Sequence, residues 1–223
     1  MSYLDMYKSR LNANGINSAN SIINSTKQTI NNNFDISPFA ISVLIDDTEF
    51  NVILTHDSKS KNKKLLLKPE TQINIGSSVH VGDDFYLVMD FLGEGVYEIY
   101  PTATLKQCNS FFPAITDKTR VLKGYDDYGK PVYVEEPVIK QLPCIVEHVG
   151  YSLDTNQQLV TSNDSLKISL QYFVSESIKK NAEFYMYDEK YKITSIDKTK
   201  VINNVGILTI TGERVWEYGK RLY

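Results

Sequence analysis

The chain has 223 residues and a formal net charge of −3, from 24 Lys and Arg against 27 Asp and Glu. Hydrophobic residues make up 42% and charged residues 23%, a globular composition that excludes a chain disordered as a whole. The charge balance lacks the basic excess typical of proteins that bind duplex nucleic acid. No apolar run is long enough to span a bilayer, so we expect no membrane partner. Two cysteines cannot build a disulfide framework, which favours a cytoplasmic type of protein.

Tyrosine is frequent, with 15 residues against one Trp, and β-branched residues recur throughout the chain. These residue types fit a pleated, half-buried surface, so the composition favours sheet. Exposed Tyr side chains also suit an interface between proteins. Packing within the sheet is the simpler explanation for them, and both explanations stay open.

Residues 1–33 predict a helical N-terminal arm. Apolar residues recur there at helical spacing, in two groups: Leu4, Tyr7 and Leu11, then Ala19, Ile22, Ile23, Thr26 and Ile30. Gly15 suits the end of the first helix, and Asn17 or Ser18 suits the cap of the second. The apolar stripe is thin, so we expect the arm either to dock on its own domain or to lie against a neighbouring subunit.

Residues 34–109 predict a first β unit, because the apolar period changes there from 3.6 to 2. A first hairpin is expected around the acidic turn at residues 46–49, and a second around the turn Gly82-Asp83-Asp84. Further strands are expected at residues 65–67 and 96–100, the latter ending at Pro101. Short strands at this spacing indicate an antiparallel barrel or sandwich.

Residues 110–223 predict a second β unit. Residues 111–131 break the alternation and end in a cluster of turn residues, which indicates a connector or a protruding hairpin. Strands are expected at residues 132–134, 144–148, 166–173, 184–187, 191–196 and 206–210. Residues 214–223 form an amphipathic tail. The predicted fold class is therefore mainly β: two small antiparallel barrel-like or sandwich-like units with an α-helical N-terminal arm.

The two β units share one local pattern at an offset of 105 residues. Tyr86 then lies over Tyr191, Asp83 over Asp188, and Gly76 over Asn181. In each copy a strand, an acidic turn and a second strand with an inward Tyr follow one another. β-Hairpins use a small set of turn types, so a chance match remains an alternative to an ancient duplication.

The residue types that carry enzyme chemistry are not arranged in any recognisable motif. His56, His80 and His148 have no metal-binding spacing, and Cys108 and Cys144 lack a CxxC pattern or a basic flank that would activate a thiol. Glycine motifs for nucleotide phosphates are missing from the sequence. Neighbouring acidic pairs lie in or beside turns, where solubilising turn chemistry is the simpler use. We therefore expect no catalytic residues, no metal site, no cofactor and no enzyme activity.

Two groups of lysines are the candidate phosphate contacts. The hydrophilic segment at residues 56–64 predicts a solvated loop, which contains Lys59, Lys61, Lys63 and Lys64, and Lys179 and Lys180 form a second group. If the protein lines a passage for DNA, these residues are expected to face it. A solvated surface is the simpler explanation for such lysines.

Several short motifs together resemble a known family. They are Tyr7, Arg10-Leu11 and Gly15; the segments 34–38, 64–69 and 83–88; Gly76; Cys108-Asn109; and the segments 191–197 and 206–210. The chain resembles the head–tail connector or head-closure (stopper-like) neck proteins of tailed phages and prophages of low-GC Gram-positive bacteria. The similarity covers nearly the full length, although each motif is short.

The resemblance implies a structural, non-enzymatic virion protein located in the phage neck and assembled in the host bacterial cytoplasm. Such a protein forms a homo-oligomeric ring of six or twelve copies, contacts the portal or adaptor on one side and the tail terminator or tail-tube protein on the other, and lets DNA pass transiently. It joins head to tail and closes the head after packaging. The helical arm and the turn at residues 124–131 are expected to contact neighbouring subunits, with exposed hairpins adding strands across them.

Two other functions remain open from the sequence. A tail-tube, tail-terminator or baseplate component would share the β architecture but bind a tail rather than a portal. A carbohydrate-binding β-sandwich is suggested by the Tyr-rich surface, although Trp216 stands alone. The residues expected to form the cores in any of these are Phe34, Ile41, Val43, Leu65, Leu67, Val88, Leu170, Tyr191, Ile193 and Ile207.

Overall fold

The computed structural model describes residues 2–11, 17–56, 62–93, 101–149 and 165–215. The chain divides into two compact units, Met1–Gln107 and Cys108–Tyr223. Each unit is built around one six-stranded antiparallel sheet with its own apolar core. The protein is therefore mainly β, as the sequence predicted.

Two helices precede the first sheet: α1 (Tyr3–Leu11) and α2 (Ser18–Phe34). The Asn17 side chain caps α2 by accepting a hydrogen bond from the Asn20 N–H at 2.8 Å. The far end of α2 docks on its own unit, since Phe34 is buried and Lys27 Nζ lies 3.2 Å from Glu70 Oε1. The second helix of the arm thus packs within the subunit.

The first unit is a closed six-stranded barrel. Its strands are β1 (Ala40–Ile45), β2 (Thr48–His56), β3 (Lys63–Leu66), β4 (Ser78–Val81), β5 (Asp84–Leu92) and β6 (Thr102–Gln107), in the order β1-β2-β3-β6-β5-β4. Pairing of Leu44 with His80 and of Ile45 with Val79 closes the barrel. The inward side chains, led by Leu65, Val88 and Leu105, form its core.

The second unit repeats this arrangement with longer strands. They are β7 (Ser110–Tyr125), β8 (Pro131–Val149), β9 (Ser165–Gln171), β10 (Glu183–Met186), β11 (Glu189–Ile202) and β12 (Val205–Arg214), in the order β10-β11-β12-β9-β8-β7. The sheet curls until its first and last strands meet through side chains, with the rings of Phe112 and Phe184 5.1 Å apart. This unit is therefore barrel-like, and side-chain packing joins its two ends.

The two units have the same strand order, β1 to β6 corresponding to β7 to β12. The offset of 105 residues also relates their hydrogen bonds. The Gly76 N–H donates to Val88 O at 2.8 Å, and the Asn181 N–H donates to Ile193 O at the same distance. Gly76 and Asn181 both have positive φ, +86° and +69°, which glycine and asparagine tolerate. The bulges in β5 and β11 follow Val88 and Ile193, again 105 residues apart.

Most of the expected strands and core residues agree with the structure. Nine of the ten expected core residues are buried, and Ile41 is half-buried against the first core. The predicted strand at residues 96–100 lies outside the described residues, and the sequence reasoning missed β6, which begins after Pro101. The separate strands expected at residues 132–134 and 144–148 are parts of one strand, β8. Most of the predicted C-terminal tail at residues 214–223 lies outside the described residues.

Candidate assembly interface

The hairpin of β7 and β8 extends far beyond the sheet that it belongs to. Its strands pair from Ser110 with Cys144 at the root to Tyr125 with Pro131 at the tip. In the described part of the chain, β9 pairs with β8 over Cys144–Val149 alone. Residues 116–140 therefore form a two-stranded ribbon, about 30 Å long at ~3.4 Å per residue. All of its side chains except Gly124 are exposed.

The tip of the ribbon is an ordered turn at residues 126–130. The Asp126 carboxylate accepts hydrogen bonds from the Tyr128 and Lys130 N–H groups at 2.9 and 2.7 Å. Gly129 takes φ +75°, a conformation that favours glycine. Tyr128 is 91% exposed at the outermost position. The turn residues recognised in the sequence therefore form a protruding hairpin and not a connector.

Apolar side chains lie on both faces of the ribbon. Residues opposite each other in an antiparallel pair share a face, and successive pairs alternate. One face, here called the valine face, continues the inward face of the sheet and carries Val121, Val132, Val134 and Val138. The other, the tyrosine face, carries Leu122, Tyr125, Tyr133 and Ile139. An isolated two-stranded ribbon is marginally stable in water, so this surface is suited to being covered.

The ribbon has no charge bias that would suit a nucleic acid backbone. Five of its residues are basic and five are acidic: Lys118, Arg120, Lys123, Lys130 and Lys140 against Asp117, Asp126, Asp127, Glu135 and Glu136. A surface that follows phosphates carries a basic excess. The ribbon therefore fits a protein partner better than DNA.

Some backbone N–H groups along the outward edges of the ribbon are missing or already bonded. Both backbone groups of Ile115 point outward, that is, away from β8. Its N–H donates to Ser177 Oγ at 3.1 Å, and its carbonyl accepts from Ser175 Oγ at 2.7 Å. Ile139 lies opposite Ile115 and shares this orientation. Alternation along β8 then places Pro131, Pro137 and Pro143 at outward positions as well, where proline has no N–H to donate.

One ion pair links the root of the ribbon to the β9–β10 connection of its own unit. Lys118 Nζ lies 3.2 Å from Glu176 Oε2. Hydrogen bonding from Lys118 and then its charge, with that of Lys179, lower the pKa of Glu176. Both partners are largely exposed, so the pair contributes little to stability. These charges orient the root of the ribbon more than they stabilise the fold.

The described residues do not show the six candidate lysines gathered in one patch. Lys59 and Lys61 lie outside the described residues. Lys63 lies in β3 with its Nζ 4.5 Å from the centre of the Tyr86 ring, and Lys64 is exposed on the same strand. Lys179 and Lys180 are exposed in the β9–β10 connection of the second unit. Lys63 is thus engaged by an aromatic ring of its own barrel.

The histidines and cysteines occupy ordinary structural positions. His80 stacks on Phe85 with the ring centres 4.4 Å apart, while His56 and His148 are exposed. Burial raises the pKa of both the Cys108 and Cys144 thiols to about 12, and the Cys144 value is raised further by Cys108. Among the described residues, no three His, Cys, Asp or Glu side chains converge as a metal site. No helix in that part of the chain is long and apolar enough to cross a membrane.

Sequence reasoning located the hairpin but missed its extent and its two apolar faces. The signal was present as alternation through residues 117–125 and 132–140, where charged and apolar residues share each face. Because neither face is uniformly apolar, the two-residue period of hydrophobicity that indicates a strand is hidden in the sequence.

Fold and ribbon define a class: a protein of two related β units that presents one long exposed hairpin. Comparison with family models is more specific. Residues 7–107 match the YomX N-terminal domain, and residues 109–213 match the YomX C-terminal domain. Together the two models span residues 7–213 apart from Cys108, and the chain belongs to this phage-derived family. No curated protein and no solved structure matches the chain significantly.

Proposed function

We propose that this chain is a non-enzymatic structural protein of a phage particle that forms a ring in the neck, between the portal or its adaptor and the tail. The ring joins head to tail and closes the head after the DNA is packaged. The observation that carries the proposal is the ribbon of residues 116–140, which is exposed and carries apolar side chains on both of its faces.

A surface of this kind favours assembly over a solitary chain. Apolar side chains exposed along a whole element favour an interface over single scattered surface residues. Two faces on one projecting element allow each copy to contact two neighbours, and repeated contacts of that sort close into a ring when the rotation permits. The phage-derived family supports an association with phage, which agrees with the proposed role.

The mass of the purified protein tests the proposal, measured alone and then mixed with capsid particles that carry a portal. A ring in solution, or one that forms on these particles, is the expected result. The matched variant replaces residues 118–137 by Asn-Gly, which joins the paired residues Asp117 and Val138 and closes a short hairpin at the root of the ribbon. It should stay folded and lose assembly.

Two results would overturn the neck assignment. Binding to tails, or formation of tubes by the protein alone, would favour a tail-tube, tail-terminator or baseplate component. A protein that stays monomeric with both kinds of particle but binds cell-wall glycans would favour a carbohydrate-binding module.

A further inference from the structure

We propose that copies of this chain stack ribbon on ribbon, with the tyrosine face of one copy against the valine face of the next copy in the same orientation. The proposal rests on the ring assembly proposed above and specifies its contact. The partner of the ribbon is then a second copy of the chain, met face to face and not by strand addition.

Apolar side chains on the two faces lie at matching heights. The pair Leu122–Tyr133 is on the tyrosine face, and the adjacent pair Val121–Val134 is on the valine face, one residue further from the tip. Copies that stack in the same orientation therefore set Leu122 and Tyr133 of one ribbon against Val121 and Val134 of the next. Burial of these side chains supplies the main driving force.

The charges at the next level toward the root are mixed on the tyrosine face and acidic on the valine face. The tyrosine face has the pair Arg120–Glu135 and then Lys118, whose Nζ lies 3.2 Å from Glu176 Oε2 of its own chain, whereas the valine face has Glu136 and then Asp117. Arg120 Nε lies 3.7 Å from Glu135 Oε1 and Arg120 is 76% exposed, so this pair within the chain is weak and leaves the guanidinium accessible. A neighbour's Glu136 can then bind Arg120 as well.

Other arrangements of two ribbons are less favourable. In a contact between two valine faces in the same orientation, Asp117 and Glu136 of one copy lie against the same acidic residues of the other. Their repulsion weakens the contact. Strand addition along β8 meets Pro131 and Pro137 at outward positions, and prolines at an edge strand oppose such pairing. Along β7, the N–H of Lys118 is already bonded to Asp117 Oδ1 at 2.7 Å.

A contact between two different faces leaves one face of each copy free for the next. It is heterologous, and contacts of this type generate closed rings or open filaments instead of dimers. This contact therefore adds a direction to the proposed assembly, because each tyrosine face binds the valine face of the next copy.

Chemical cross-linking of two single variants tests the contact. Leu122→Cys places a thiol on the tyrosine face and Val134→Cys places one on the valine face. The two positions lie on opposite faces of the same ribbon. The native Cys108 and Cys144 stay protonated near pH 8, because burial raises the pKa of each to about 12. A short bis-maleimide is added to each variant alone and to their equimolar mixture, under conditions in which the protein assembles.

The expected result is covalent dimers in the mixture, at least about tenfold more than in either variant alone. The double variant should give a ladder of covalent oligomers. Ile202→Cys, at an exposed turn outside the ribbon, replaces Leu122→Cys as the control and should give no dimers with Val134→Cys.

Dimers that form equally well from one variant alone would overturn the proposal in favour of a symmetric contact. Rings that form without any cross-link in the mixture would also overturn it, while leaving the proposed function intact. Absence of assembly by the wild-type chain, alone and on particles, would instead refute the proposed function.

Discussion

Tyr86 and Tyr191 hold equivalent places in the two units. Each is buried, each lies 105 residues from the other, and each donates its hydroxyl to a carboxylate two residues earlier in the chain. The acceptors are Asp84 Oδ2 at 3.3 Å and Glu189 Oε2 at 3.0 Å. Together with the common strand order, this relationship supports a duplication of one six-stranded unit, in which the second copy has the lengthened β7–β8 hairpin.

Tyr86→Phe and Tyr191→Phe test this equivalence. Each removes one hydroxyl that donates to a carboxylate, and each should lower the free energy of unfolding by about 1–2 kcal/mol. Urea unfolding followed by circular dichroism measures the change. A loss at one position without the other would contradict the equivalence of the two sites.

Asp35 makes the first unit sensitive to acid. The hydrogen bond from Lys68 at 2.8 Å has the largest effect on the pKa of Asp35, and together with the hydrogen bond from Asn51 and the charge of Lys68 it lowers this pKa against the opposing effect of burial. A lowered pKa in the folded state stabilises the protein above the unfolded-state value of about 4, and this contribution disappears as pH falls through the folded value. Asp35→Asn should therefore be less stable than wild type at pH 7, and the difference should shrink as the pH falls below about 4. A constant difference between the unfolding midpoints would contradict this account.

Cys108 and Cys144 should be unreactive in the folded protein. A pKa of about 12 leaves roughly a thousandfold less thiolate at pH 8 than an ordinary cysteine has. Labelling with iodoacetamide should be slow in buffer and fast in urea, as followed by mass spectrometry. Rapid labelling of either cysteine in buffer would contradict the burial described for it.

Glu136→Arg should weaken assembly, because it sets a cation against Arg120 and Lys118 of the neighbouring copy. The apparent association constant is expected to fall by about tenfold or more, with a smaller effect at high salt. Asp127→Arg, a charge reversal at the tip and outside the apolar pairs, is the control and should change little. Sedimentation measures both.

Arg120→Glu completes that test. Mixed in equal amounts with Glu136→Arg, it restores opposite charges at every contact of an alternating ring. Recovery of assembly in the mixture is expected, and equal weakness of all three samples would count against the stacking.

Two truncations of the N-terminal arm test the roles of its two helices separately. α1 has exposed Tyr3, Leu4, Met6 and Tyr7, whereas Phe34 at the end of α2 is buried. Removal of residues 1–16 should leave the free energy of unfolding within about 0.5 kcal/mol of wild type. Removal of residues 1–33 should give a folded protein that is less stable by about 1–3 kcal/mol, since it uncovers apolar surface. If the arm contacts a neighbour as expected, the second truncation no longer assembles, and unchanged ring formation would exclude that role.

Much of the fold could be predicted from local patterns. Alternation marked the strands that have one buried face, and acidic or glycine-containing pairs marked their turns, as at Asp46-Asp47 with φ +47° and +65°. The predictions failed where a strand is exposed on both faces, as in the ribbon, or where apolar alternation is short, as in β6. In the ribbon the burial that produces the pattern is missing. In β6 the inward residues Ala103 and Leu105 are buried, but they are too few for the alternation to stand out in the sequence.

The chain's own residues thus determine two mainly β units, their principal cores and the turn at the tip of the ribbon. Local backbone preferences and period-2 burial act over neighbouring residues, so they are written in the sequence itself. Only the tertiary structure decided the common strand order, the faces of the ribbon and the outward orientation of Pro131 and Pro137. These depend on register between strands distant in sequence and on two bulges, and a shift of one residue moves every side chain to the opposite face.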